Sequence, residues 1–324
     1  MKRKLLRLTI VATCLSTFSF AQQDKVITHF IFDKMSFNPG ATGINDGICG
    51  TSVYRNQWDK VNGAPNSALL NVEANMSRWF PGGLGISFYH DAIGFTRQNN
   101  VLLNYSYPLE LTGIGILGIG VGVGIQNFGM SPTWQPPTTL NDPTLPTGYA
   151  ATKLDANFGL YLKGDQGYYV GLSSTHLPAS IYEAQDSQVP GSTAGDFDMA
   201  RHYYLMGGYR YNDIHTDGDV EANLLVRSDF IKTSMDINLR YLWKDMAYGG
   251  LTYRTSDAVA IMLGAQPLKF MQGPGAPDLT VGYSYDITIN KLSSISRGSH
   301  EILLKYCYYL PPIPIQKSKH PRWL

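Results

Sequence analysis

The chain is short of charge, and what charge it has is balanced. Lys and Arg number 26 against 25 Asp and Glu, a formal net charge of +1, and charged residues make up 16% of the 324 positions. Such a surface has no field to draw in nucleic acid or an acidic substrate. After the first stretch of the chain no run approaches the ~18 consecutive apolar residues of a membrane helix. Cysteine is scarce, at three residues. Catalytic patterns are missing as well. There is no G-x-S-x-G elbow, and the 7 histidines are scattered without ligand spacing. His300-Glu301 lacks a second histidine one helical turn away. Gly113-Ile114-Gly115-Ile116-Leu117-Gly118 matches G-x-G-x-x-G, but neither a following helix nor a suitably placed acidic residue accompanies it. The residues therefore predict a protein that is not an enzyme, with no cofactor, no metal and no nucleic-acid partner.

What is present begins with an export signal. Lys2, Arg3 and Lys4 precede a mostly apolar stretch from Leu5 to Phe20, and Ser19-Phe20-Ala21 is a small-x-small cleavage site. Residues 1–21 are read as a signal peptide, so the mature chain begins at Gln22. A lipid-attachment signal ending at Cys14 competes with this reading, but Val11-Ala12-Thr13 fits that motif poorly. An exported chain without membrane helices can span a membrane only as a closed barrel, because lipid offers no water to an open strand edge.

Glycine (33) and tyrosine (21) are abundant, as short turns and aromatic belts require. The clearest stretch is Lys232–Leu242. Thr233, Met235, Ile237, Leu239 and Tyr241 alternate with Lys232, Ser234, Asp236, Asn238 and Arg240. Strict alternation over about ten residues is a strand with two unlike faces, at the length of a tilted membrane crossing. Fourteen such segments are predicted, near 51–58, 66–75, 83–91, 97–107, 115–127, 152–162, 167–173, 201–211, 219–227, 232–242, 246–254, 258–266, 278–286 and 300–309. Trp58, Trp79, Tyr107, Tyr211 and Trp243 stand at strand ends. The longest connections follow strands five, seven and thirteen. All are odd, as expected if both termini face the periplasm and long loops face outward. The connection over 267–277 is the exception. The reading is an all-β transmembrane antiparallel barrel of about 14 strands over 51–310, integral to the outer membrane and in contact with its lipid.

With the polar faces turned inward, the lumen receives Arg55, Asp155, Glu221, Arg227, Lys232, Asp236, Arg240, Arg254, Asp286 and Glu301, among others of both signs. Balanced signs fit a lumen knitted by ion pairs or plugged, not a strongly ion-selective pore. Gly118, Gly120, Gly122 and Gly124 leave one strand face bare. Residues 22–50 are read as a periplasmic or lumen-plug segment, and as a plug they would pack on that stripe. Cys49, just before strand one, and Cys307, near the end of strand fourteen, would meet where the barrel closes. A seam-closing disulfide and two separate small residues both fit. The tail over 311–324 is basic and Pro-rich, which suits a flexible periplasmic extension or a docking peptide. Loops around Met130–Tyr149 and Leu177–Asp198 carry Trp134, Tyr149, Tyr182 and Phe197, residue types that anchor interfaces. The same loops also fit a lid over the mouth.

Several motifs occur together in order. Phe37-Asn38-Pro39-Gly40-Ala41-Thr42-Gly43, Tyr54-Arg55-Asn56-Gln57-Trp58 and Gly63-Ala64-Pro65 come first. Gly83-Leu84-Gly85-Ile86-Ser87-Phe88, Asp91-Ala92-Ile93-Gly94 and Leu103-Asn104-Tyr105-Ser106-Tyr107 follow. Tyr253-Arg254, Ser256-Asp257-Ala258, Gly282-Tyr283-Ser284-Tyr285-Asp286 and Gly298-Ser299-His300-Glu301-Ile302 close the set. The ordered set resembles the PorP/SprF family of type IX secretion outer-membrane proteins over nearly the whole mature chain. The resemblance implies a non-catalytic barrel of the type IX secretion and gliding machinery. It would assist surface display of a secreted adhesin through that adhesin's C-terminal domain, and would contact a periplasmic peptidoglycan-binding lipoprotein. A diffusion channel for small solutes is the alternative.

Overall fold

The computed structural model describes residues 24–133, 148–182, 197–215, 218–272 and 277–309. The signal peptide (1–21), Trp134 and the basic tail (311–324) lie outside the described residues. Alternation of apolar and polar side chains produces the strands, and glycines or short turns end them. In chain order the strands are β1 Ile48–Asn56, β2 Asn66–Asn75, β3 Gly83–Ile93, β4 Thr96–Leu111, β5 Gly115–Met130, β6 Tyr149–Gly164 and β7 Tyr168–Thr175. They continue with β8 His202–His215, β9 Gly218–Ser228, β10 Thr233–Trp243, β11 Ala247–Arg254, β12 Ala258–Ala265, β13 Asp278–Thr288 and β14 Ser299–Tyr308. Each pairs antiparallel with the next, and β14 pairs back onto β1, so the barrel is closed with 14 strands as predicted. A two-residue ladder, Ile181–Tyr182 against Phe197–Asp198, stands apart in the β7–β8 connection. One short helix, α1 Pro267–Gln272, occupies the β12–β13 connection. No described helix is long and apolar enough to cross a membrane.

The predicted strand β10 shows how the wall is built. Ile237, Leu239 and Tyr241 are exposed on the outside, while Asp236, Asn238 and Arg240 are buried inside. Leu70, Phe88, Leu103, Val123 and Leu304 continue the outward apolar band on other strands. Such a band is the surface that lipid covers. Lys232 departs from the expected pattern. It precedes β10 in the turn from β9, held there by its N–H to Asp229 Oδ1 at 2.6 Å, and its side chain is exposed rather than in the lumen.

Because the strand number is even, the start of β1 and the end of β14 share one rim. Following the rule that long loops face outward, this is the periplasmic rim, and the β5–β6, β7–β8 and β13–β14 connections lie at the opposite, distal rim. The ladder begins at Ile48, so Cys49 lies inside β1 rather than before it, directly opposite Cys307. The two are joined by a disulfide with Cα atoms 4.1 Å apart, across a sequence separation of 258. The bond closes the same seam that the β1–β14 ladder closes. A Cys49→Ser/Cys307→Ser double variant is expected to fold but to unfold more readily, by about 2–4 kcal/mol. Urea titration of the detergent-solubilised protein, oxidised against reduced, measures this. Equal midpoints would show that the bond adds nothing beyond the ladder.

Candidate functional site

Fourteen strands enclose a lumen too wide for wall side chains to fill alone. Here the chain fills it with its own residues 24–47. Asp24 lies at the distal mouth, beside Thr175 and His176. The segment then descends in a series of tight turns, such as Phe32 N–H to His29 O and Phe37 N–H to Lys34 O. It reaches the periplasmic rim at Gly47, whose carbonyl accepts from Asn75 N–H at 3.0 Å. Its Ile27, Phe30, Ile31, Phe37 and Ala41 form the centre of the main hydrophobic core. Val53, Leu69, Tyr161, Met206, Leu225, Met262 and Leu303 surround them from strands on every side. Burying a phenylalanine stabilises by roughly 1.5–3 kcal/mol.

A segment with little secondary structure must still satisfy its backbone polar groups. Wall side chains do much of this. Lys305 Nζ donates to Phe32 O at 2.7 Å, Ser106 Oγ to Gly40 O at 2.8 Å and Ser173 Oγ to Phe37 O at 2.5 Å. Asn38 Nδ2 donates to Leu160 O at 2.9 Å. The bare stripe of β5 takes part as expected. A Cβ on Gly118 would lie 2.1 Å from Gly40 O, and one on Gly120 would lie 2.2 Å from the Pro39 carbonyl carbon. Gly122 instead faces the Asn104 side chain, so the contact covers only the first half of the stripe. Gly83, Gly85, Gly159 and Gly171 complete the seat against Thr42, Met35 and Asn38, and the sequence reading passed them over. A single glycine in a strand gives no signal until its neighbours across the sheet are known.

The charged centre of the lumen clamps the upper part of this plug. Arg55 Nη2 meets Asp286 at 2.6 Å and its Nη1 meets Glu301 at 2.9 Å. Arg254 joins Asp236 at 3.2 Å to Asp286 at 3.0 Å, and Arg227 meets Asp236 at 2.8 Å. Three arginines thus balance three carboxylates, all buried. Into this network the plug inserts Thr28 and His29. The Thr28 and His29 N–H groups donate to Glu301 at 2.9 and 2.8 Å, and Thr28 Oγ1 donates to Asp286 at 3.0 Å. His29 Nδ1 stands 2.7 Å from Glu301. Lower down, Arg240 pairs with Glu221 at 2.6 Å and lies over the Phe32 ring.

At the distal mouth a second contact fixes Asp24. His176 Nδ1 lies 2.9 Å from Asp155, and its Nε2 lies 3.7 Å from Asp24. The ring thus lies between two carboxylates. Tyr204 donates its hydroxyl hydrogen to Asp24. Burial opposes a charged ring on His176, but the two carboxylates outweigh it and raise its pKa to about 9. Beside this contact a cavity of about 180 Å³ opens among Asp24, Trp58, His202, Arg227, Arg254 and Leu292.

The aromatic loop residues expected to meet a partner are packed on one another. Phe128 stacks on Phe197 at 4.1 Å, and Tyr182 donates its hydroxyl to Gln126 O at 3.3 Å. Tyr149 and Tyr182 are only 9% and 1% exposed, in a cluster with Met199. These rings pack the described loop residues together at the mouth, with Phe197 half-buried at the edge of the cluster.

Removing Arg55 would leave Glu301 without its arginine and Asp286 with Arg254 alone. Arg55→Ala is expected to cost about 3–5 kcal/mol, whereas Arg55→Met combined with Asp286→Asn and Glu301→Gln restores part of it. Heat-modified gel mobility with urea titration compares them, and an Arg55→Ala variant as stable as wild type would refute the clamp. The His176 contact gives a pH dependence. A raised pKa means that its contribution is complete below 6.5 and is lost as pH rises through about 9. Stability should therefore fall between those values in wild type and less so in His176→Gln, with the two curves meeting at high pH. Parallel curves would remove His176 from the account.

The family described as type IX secretion system membrane protein PorP/SprF matches this sequence over residues 19–306. Among solved structures, the Ralstonia pickettii toluene transporter TbuX is 11% identical, with 86% of this chain and 93% of that chain covered and a TM-score of 0.51. The CymD monoaromatic hydrocarbon channel is 10% identical, over 86% and 93% of the two chains, with a TM-score of 0.49. A Pseudomonas aeruginosa FadL homologue is 11% identical over 83% and 91%, with a TM-score of 0.46. At these identities the likeness to TbuX shows the fold. A search of curated proteins gives no match.

Proposed function

The chain belongs to the PorP/SprF family of type IX secretion system membrane proteins, and from that premise we propose that it is a closed, non-catalytic outer-membrane anchor. It holds a secreted adhesin at the cell surface through that adhesin's C-terminal domain. At the periplasmic rim it meets a peptidoglycan-binding lipoprotein. The observation that carries this reading is the plug. A lumen filled from Asp24 to Gly47 and bonded to strands around the wall serves as a rigid post, not a conduit. Work done by such a post falls on its rims. The periplasmic rim offers α1, where Phe270 and Met271 are exposed. The distal rim offers the described ends of the long loops.

A toluene transporter with the same fold says nothing of this lumen at 11% identity. The channel reading is decided by electrical measurement. Wild-type barrel in a planar bilayer is expected to conduct almost nothing, and a variant lacking residues 24–44 to conduct steadily. Cells without the protein should lose the adhesin from their surface while retaining it inside or in the medium. Large wild-type currents, together with normal adhesin display in the deletion strain, would replace the anchor with a channel.

A further inference from the structure

The ladder between β6 and β7 is incomplete. β6 pairs with β5 along its full length, from Tyr149 to Gly164, but with β7 only from Phe158 to Lys163. The cause is local. β7 stops at Thr175, and the chain turns at His176, where φ is 55°, into the mouth. Asp155 and Asp24 hold it there. The distal half of β6 is left with one edge turned away from the barrel wall.

The direction of its backbone groups follows from one bond. Leu177 N–H donates to Ala156 O at 2.9 Å across this edge. Alternate strand residues direct both backbone groups to the same neighbour. Ala150, Thr152 and Leu154 therefore present their N–H and C=O to the open side. None of these groups has a partner among the described residues. Ala156 N–H is taken by Asp155 Oδ1 at 2.9 Å. The side chains of the three residues are exposed, Leu154 at 72%. Neither proline nor a bulge interrupts the stretch, and the only charge at 150–154 is Lys153.

We propose that residues 150–154 of β6 are where the secreted partner attaches, by adding an extended strand of about five residues to this edge. A polypeptide backbone is the ligand that supplies N–H and C=O groups alternating at strand spacing, and the exposed Leu154 side chain adds an apolar contact beside them. The inference rests on the anchor reading above and specifies its distal contact.

The test uses the purified full-length barrel in detergent and, as probe, the isolated C-terminal domain of an adhesin exported by the same system. Thr152→Pro and Leu154→Pro each remove an edge donor that bonds to no wall strand, so barrel closure, read by heat-modified mobility, is retained. Phe230→Ala, in the β9–β10 turn elsewhere on the distal rim, is the control. Binding is expected to weaken about tenfold or more in the proline variants and to stay unchanged in the control. Amide exchange should slow at Thr152 and Leu154 when the domain binds. Binding with unchanged exchange in β6 and no loss in either proline variant would overturn the site and leave the anchor reading standing. Slowed exchange without the domain, growing with barrel concentration, would assign the edge to a second copy and overturn the site. No binding of the domain to wild type would overturn both.

Discussion

An inward-facing wall of charged and polar side chains needs hydrogen-bonding partners, from water or from protein, and residues 24–47 supply them here. Arg55, Arg227 and Arg254 could balance Asp236, Asp286 and Glu301 without help. Yet Glu301 also accepts two backbone N–H groups from Thr28 and His29, and Asp286 accepts the Thr28 hydroxyl. A carboxylate deprived of those donors would sit buried with lone pairs unused, at a cost comparable to any single interaction in the lumen. The barrel and its plug therefore share one buried polar network. The apolar core is also shared, since its central residues come from the plug and its shell from the strands.

The plug also adjoins the closing seam. The plug precedes β1 directly, and β1 is one side of the closing seam. The segment touches strands around the whole wall, from β1 at Arg55 to β14 at Glu301. The plug thus lies inside the seam that β1 and β14 close, with Cys49 opposite Cys307. The disulfide then holds the edge at which the wall would otherwise part.

Much of the wall was legible in the sequence because a two-residue period has a single physical cause. Every predicted strand has a counterpart, and most boundaries differ by one to four residues. Lys232 was misplaced because alternation continues by chance one step into the turn. Inward apolar residues such as Leu225 and Met262 were passed over, since nothing local marks a leucine that faces a plug instead of lipid. The glycine seat was half visible. The run on β5 stands out, while Gly83, Gly85, Gly159 and Gly171 become one surface only after the strands are aligned. The loop aromatics illustrate a different limit. Composition identifies residues able to anchor an interface but does not say whether they anchor one within the chain, as Phe128, Tyr182 and Phe197 do.

A filled lumen shifts attention to places where the barrel departs from a complete cylinder. Two departures share one origin at His176. The chain turns inward there, which closes the mouth, and by leaving the wall it uncovers β6. The histidine beside Asp24 thus stands at the point where the chain leaves the wall next to β6. Mouth closure and edge exposure are then two aspects of a single placement of residues 176–182.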